Sequence, residues 1–372
     1  MSVHQHAHRH SPGAAIRVLV DGTPLLGQRS GIGRYTAALL AELATRSDVD
    51  VTVTAFTARG QAALRAAVPA GARVRGGPVP ARMLRKLWRH CNWPPVELLA
   101  GNAEVLHATN FVLPPAKRAH GVVTVHDLAF LDRPDQLAPQ QRDLPDLVER
   151  SVARAAVVCT PSAAVAQQVV QQLGIPAQRI MVTPLGVDRS WLNAVAPAET
   201  LRTKLGLPPR YLLFVGAAQP RKGLDVLLEA HASQPGLAPL VLAGPAGWGP
   251  TLTASPRVRT VGYLNEADLR CVVAGATALV LPSRDEGFGL PVLEAMATGV
   301  PVVCSDLPAL REIADGLATL VSPEDPAALA AALAAVAGYD PVGAAARRAH
   351  AARYTWQACA EATVRAYRQA HN

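Results

Sequence analysis

Short apolar runs recur along the chain, bounded by glycine, serine or proline and separated by stretches with apolar residues at helical spacing. Residues 16–20 (IRVLV), 49–57, 104–107 (EVLH), 122–125, 155–160 (AAVVCT) and 180–183 read as strands, with 73–79 as an edge. Residues 211–215, 239–243 (PLVLA), 258–261, 278–282 and the run from Pro301 read the same way in the second half. Continuous apolar runs of this length suit strands buried on both faces, as in parallel sheets. Between them, SGIGRYTAALLAEL and residues 163–173, 326–336 and 355–369 carry helical spacing, and Ser162 is placed to cap one such helix. Alternation of this kind predicts an α/β protein with parallel sheets. Residues 189–210, with Pro197, Pro208 and Pro209, read as a linker containing one short helix. The expected division is therefore an arm at 1–15, a first domain at 16–188, a second at 211–354 and a last helix at 355–372. A length of 372 residues fits two domains of ordinary size.

The most informative stretch is ATALVLPSRDEGFGLPVLEAMATGVPVVCSD, residues 276–306. It predicts a strand, a glycine-containing loop, a helix and a second strand. Gly287 and Gly289 free the loop backbone for close approach to a ligand, Pro291 suits the first turn of a helix, and Gly299 suits its end. A loop at the carboxyl end of a parallel strand is where open α/β sheets bind ligands. Glu286 and Glu294 flank it, and the amides of Phe288, Gly289 and Leu290 stand at a helix start, a favourable place for phosphate or a hydroxyl. Carboxylates suit sugar hydroxyls because they accept hydrogen bonds in fixed directions. Two glutamates at this spacing are, by themselves, equally a helix-start carboxylate and a solvated loop residue.

EGFGLPVLE resembles the signature of retaining glycosyltransferases with the two-domain GT-B architecture, in particular their large fourth family. The resemblance implies two Rossmann-like domains facing across a cleft, with a terminal helix (TWQACAEATVRAYRQ) crossing back to the first domain. It implies that Glu286 contacts the donor sugar and Glu294 the nucleotide ribose.

Three further segments acquire roles on this resemblance. In SGIGRYT the third glycine position of a dinucleotide fingerprint is Thr36, so the spacing alone is weak; the family places such a loop near donor phosphates, which implicates Gly31 and Gly33. His126 follows the run VVTV and matches the family histidine near the reacting carbon, with Asn110 and Asp127 as weaker neighbours. In VGAAQPRKGLDVLLEA the pair Arg221-Lys222 stands before a helix, next to Gly216 and Gly223. Cations and helix-end amides can clamp a diphosphate, and the family uses an Arg and a Lys in this turn to neutralise the leaving group. Tyr263 could stack on the base or simply pack.

Composition narrows the setting. Half the residues are apolar and 17% are charged, a globular and not a disordered balance. The formal charge of +8 favours anionic partners: nucleotide phosphates, an anionic bilayer surface or, less specifically, nucleic acid. No nucleic-acid module is visible, and few aromatics are present to stack bases. Five scattered cysteines without a C-x-x-C pair suggest reduced thiols and a cytoplasmic setting. No apolar run is long enough to cross a membrane, and the first residues lack the apolar core of a secretory signal. Alternating His4, His6, His8 and His10 read as a mobile arm rather than a metal site. ARMLRKLWRHC sorts Met83, Leu84, Leu87 and Trp88 to one side and Arg82, Arg85, Lys86 and Arg89 to the other. Such a helix can lie on the inner face of an anionic membrane or pack on its own domain with the basic face solvated.

The expected activity is transfer of a hexosyl group from a nucleotide sugar to a hydroxyl acceptor with retention, needing no metal and no cofactor. GDP-mannose is the first choice of donor, because GIGRYT and VHDL resemble bacterial mannosyltransferases; UDP-glucose or another nucleotide hexose comes next. The acceptor is a glycan, a lipid-linked molecule or a small metabolite. Asp48-Val49-Asp50 reads as a turn and strand edge, not a metal motif. Rival readings are a nicotinamide-dependent dehydrogenase, which leaves the Arg-Lys turn unexplained, a GT-B sugar-nucleotide epimerase or phosphorylase, and a catalytically inert sugar-nucleotide-binding protein.

Overall fold

The computed structural model describes residues 15–29, 31–134, 137, 142–247, 255–336 and 340–372. The four alternating histidines near the start lie outside these residues. Among these residues, thirteen strands form two parallel sheets. The first contains β1 (Ile16–Asp21), β2 (Val49–Thr54), β3 (Arg73–Val74), β4 (Val105–Ala108), β5 (His120–Thr124), β6 (Val157–Thr160) and β7 (Ile180–Val182), in the order β3-β2-β1-β4-β5-β6-β7. The second contains β8 (Leu212–Val215), β9 (Leu240–Ala243), β10 (Val258–Gly262), β11 (Ala278–Leu281), β12 (Val302–Ser305) and β13 (Thr319–Val321), in the order β10-β9-β8-β11-β12-β13.

Each sheet reverses its strand order at one point. In the first, β1 pairs with both β2 and β4, with Val18 opposite Val51 and Val105. In the second, β8 pairs with β9 and β11, with Leu213 opposite Val241 and Leu279. Such reversals open a crevice beyond the carboxyl ends of the central strands, the usual ligand position in α/β sheets. The two sheets make the chain a pair of Rossmann-like domains.

The chain divides into two compact units: residues 1–124, 146–159 and 360–372 in one, and 125–145 with 160–359 in the other. In the second unit, Leu212, Phe214, Leu240, Leu242 and Val280 pack with helix Leu224–Ser233 in an apolar core. Burying five such side chains contributes on the order of 10 kcal/mol against an extended chain. In the first unit, residues 360–371 of the terminal helix Trp356–His371 set Tyr367 against His107 and pair Arg368 with Asp48 at 2.6 Å.

Several local expectations need correction. The 189–210 segment holds two helices, Arg189–Leu192 and Glu199–Leu205. Asp188 caps the first, and Gly206, with φ 61°, ends the second. The 73–79 edge shrinks to two residues. In helix Ala81–His90, Leu84 and Trp88 are buried, with the Trp88 ring edge-on to Phe56 and its Nε1 donating to the Pro94 carbonyl at 3.0 Å. Met83 is exposed instead of joining that face. Asp48 and Asp50 are taken by arginines, Asp48 by Arg46 and Arg368, Asp50 by Arg73. Among the described residues, no helix is long and apolar enough to cross a membrane.

Candidate active site

The second unit gathers a cluster of charged residues where β8 and β11 end. After β8 the chain passes Gly216 and makes a tight turn, Pro220–Lys222, ended by Gly223 at φ 61°. A Cβ at Gly223 would overlap the Pro282 carbonyl oxygen, so only glycine lets this turn lie against the loop after β11. That loop carries Ser283, Arg284, Asp285 and Glu286 before helix Leu290–Thr298 begins at Gly289. Gly287 is equally constrained, because a Cβ there would overlap the carbonyl oxygen of His126. The VHDL segment, the Arg-Lys turn and the glutamate loop are thus pressed together by backbone contacts.

Their side chains continue the theme. Lys222 Nζ donates to Glu286 Oε1 at 2.5 Å, and Ser283 Oγ donates to the same oxygen at 2.8 Å. Arg221 Nε donates to Gln219 Oε1 at 3.2 Å, and its Nη1 to the Asp285 carbonyl at 3.4 Å. Burial would raise the Glu286 carboxyl, but Lys222, Arg221 and the Ser283 hydroxyl together hold it below the usual carboxylate range. Burial and the neighbouring Arg221 pull the Lys222 ammonium down, with Glu286 and Asp127 opposing. Arg221 lies above its ordinary value: burial works against its charge, and Asp127, Glu286 and Asp285 outweigh it. Burial pushes the Asp285 carboxyl up to about 7, Asp127, Glu286 and Asp132 add to the rise, and Arg221 resists it.

Arg284 holds the turn and the loop in register. Its amide donates to the Arg221 carbonyl at 2.8 Å and its Nη1 to the Pro220 carbonyl at 2.7 Å. Its guanidinium grips Asp225 with two bonds, at 2.8 and 2.7 Å, and reaches Glu324 at 2.9 Å. Glu324 also accepts from Arg133, which follows helix Ala129–Asp132. One side chain therefore fastens the residues on either side of Arg221-Lys222 to the loop of Glu286. On the far side, Ser162 caps helix Ala163–Leu173 and donates its hydroxyl to the Gly287 carbonyl at 2.7 Å.

Two family models match the chain: a glycosyl transferase 4-like domain over residues 30–186, and glycosyl transferases group 1 over residues 209–338. The O-antigen chain mannosyltransferase B of Escherichia coli is 30% identical over 283 residues, 71% of this chain and 74% of that protein. The chain belongs to the group 1 glycosyltransferases. A D-inositol 3-phosphate glycosyltransferase of Geodermatophilus obscurus is 33% identical over 298 residues, and the match spans 72% of this chain and 64% of that protein's length. Sucrose-phosphate synthase from Thermosynechococcus elongatus superposes with a TM-score of 0.72 at 22% identity, covering 95% of this chain and 98% of the other. The fold of this glycosyltransferase is GT-B.

Within the glycosyltransferase, the second unit holds His126, Gly216, Arg221, Lys222, Tyr263, Glu286, Phe288, Gly289, Leu290 and Glu294, while the first holds Gly31 and Gly33. His126 is buried, with its carbonyl against Gly287. Glu294 is buried on helix Leu290–Thr298, one turn past Leu290. Tyr263, just after β10, is 44% exposed. Gly216 donates its amide to the Ala243 carbonyl. Gly31 opens helix Gly31–Leu43 with open space around its α-carbon, whereas Gly33 lies against the Pro24 carbonyl. The sequence reading missed Asp285 and the Arg284 ion pairs. The adjacent acids in SRDEG were the available signal, since two carboxylates beside a buried strand rarely both stay ionised.

Proposed function

We propose that the chain is a retaining hexosyltransferase that moves mannose from GDP-mannose to a hydroxyl acceptor without a metal ion. The observation that carries this reading is the Arg221-Lys222 turn, packed at the strand-order reversal of the second sheet against the loop of Glu286. Loss of a nucleoside diphosphate builds negative charge on the leaving phosphate, and two fixed cations stabilise that charge more in the transition state than before it. In the free protein Lys222 is held by Glu286. A diphosphate would draw the ammonium toward itself and free Glu286 to orient the sugar. Retention then follows front-face attack, with the leaving phosphate taking the acceptor's proton. Glu294 holds the ribose, His126 lies near the reacting carbon, and Gly216 lets backbone approach the donor.

The name of the Escherichia coli relative supports mannose and a glycan acceptor. The inositol 3-phosphate relative favours a second reading of the acceptor, a small phosphorylated polyol. Exposed Lys86 and Arg89, beside exposed Met83 and Trp93, support peripheral contact with an anionic membrane at its cytoplasmic face. Trp88 takes no part in that contact, because its ring is buried.

A thermal-shift screen across nucleotide sugars tests the donor. GDP-mannose should raise the melting temperature most, and proton NMR of the product should show the donor's anomeric configuration. Stabilisation by UDP-glucose alone would replace mannose with glucose, and an inverted product would remove retention.

A further inference from the structure

Asp285 occupies an unusual position in this cluster. Its Oδ1 is buried with no hydrogen-bond partner among the described residues. Two neighbouring oxygens are better served: Glu286 Oε1 receives both Lys222 and Ser283, and the Asp285 backbone carbonyl receives Arg221. An ionised carboxylate with one oxygen stripped of every donor carries a heavy desolvation cost, whereas a neutral acid can leave an oxygen bare at far less. The charges facing Asp285 point the same way. Arg221 comes from the turn after β8, Glu286 from its own loop, and Asp127 and Asp132 from the segment after β5. An ionised Asp285 adds a negative charge beside the two cations Arg221 and Lys222 and would repel a diphosphate. A neutral Asp285 removes that charge, and an entering anion meets Arg221 and Lys222 with less opposition.

We propose that Asp285 is a working part of the donor site, carrying a proton whenever the diphosphate is bound, so that binding of the nucleotide sugar takes up a proton. This rests on the diphosphate lying at Arg221-Lys222. The carboxyl that burial has already raised to about 7 supplies the titration range. A phosphate group beside Arg221 raises it further, because each negative charge added nearby disfavours a second. The proton comes from solvent and goes to a carboxyl oxygen of Asp285; no bond of the donor changes. Donor affinity then falls as pH rises through the neutral range, by up to about tenfold per pH unit once Asp285 is ionised in the free protein.

Calorimetry with GDP-mannose and UDP-glucose tests this on the full chain. Neither donor's diphosphate titrates near neutral pH, so any proton taken up belongs to the protein. Binding to the wild type in PIPES and in Tris buffer at about pH 7.5, whose ionisation enthalpies differ, should differ in enthalpy in the sense of proton uptake. Affinity should decline between about pH 6.5 and pH 8.5. In Asp285→Asn the buffer dependence and the decline should both vanish while binding persists. Wild-type binding with equal enthalpy in both buffers overturns the proposal and leaves the diphosphate site standing, as does unchanged proton uptake in Asp285→Asn. Failure of the wild type to bind either nucleotide sugar overturns the donor site along with it. Melting curves of the unliganded proteins provide a second readout that also shows the variant folds. A folded-state carboxyl raised above its unfolded value loses stability for the native state as pH rises from about 4 to 7. Asp285→Asn should therefore match the wild type near pH 4 and melt above it at pH 8. An equal or lower melting temperature at pH 8 counts against a raised Asp285 carboxyl.

Discussion

The carboxyl ends of the two sheets solve the same problem with opposite materials. In the first unit the polar groups near β1, β4 and β5 are mostly neutral and satisfy one another. His107 joins the Tyr367 hydroxyl at 2.8 Å and the Thr124 hydroxyl at 2.9 Å, and Tyr35 reaches Thr124 at 3.1 Å. Thr109 donates to the Asp21 carbonyl, and Thr36 to Thr109. Even the buried carboxyl of Asp21, which burial pushes up, is held by the Thr23 hydroxyl at 2.6 Å and amide at 2.9 Å. In the second unit, full charges are crowded around Arg221 and Lys222, and Asp285 has a bare oxygen. A neutral network that closes on itself rigidifies a core. A charged cluster left unbalanced is built to be completed by something else. On the proposed function, the first set is scaffolding and the second does the chemistry.

The largest expected effect breaks the second set. Lys222→Ala should lower turnover by about a hundredfold to a thousandfold, the usual cost of removing one transition-state donor, while donor affinity changes less. Steady-state kinetics would show it as a loss in kcat larger than any rise in KM. Next comes Glu294→Ala, which should weaken nucleotide binding by about tenfold to a hundredfold, as expected for a lost charge-assisted hydrogen bond. Equal calorimetric affinity would remove Glu294 from the ribose contact. Arg284→Met should weaken nucleoside diphosphate binding by about tenfold without touching the ligand, because the turn loses its registration to the Glu286 loop. Arg284→Lys should restore it only in part, since lysine lacks the two-pronged grip on Asp225.

The smallest effect on activity belongs to the first set. Tyr367→Phe removes the hydroxyl from His107 and should cost about 1 kcal/mol of stability, read by urea unfolding. Nucleotide affinity should stay unchanged. A large loss of affinity there would erase the distinction between the two regions.

Much of this arrangement was legible because it is local. The buried run at 278–281, the Ser162 cap and the glycine at the end of the 290–298 helix are each written within a few residues of sequence. Glu286 and the Arg-Lys turn were visible as motifs. Their pairing was not, since Lys222 and Glu286 lie 64 residues apart and only the adjacency of β8 and β11 brings them together. The same holds for Arg284, whose partners Asp225 and Glu324 lie 59 and 40 residues away. The 189–210 stretch misled because its prolines suggest irregular chain, whereas Pro197, Pro208 and Pro209 stand outside the helix at Glu199–Leu205. Met83 misled because helical spacing gives a face but not its width.

The central claim is that Arg221 and Lys222 receive the leaving diphosphate. A crystal of the protein soaked with GDP-mannose tests it most directly. Phosphate oxygens within hydrogen-bond distance of both side chains, with Glu286 turned from Lys222 to a sugar hydroxyl, are the predicted result. Phosphates bound elsewhere, with the Lys222–Glu286 pair intact, would contradict it.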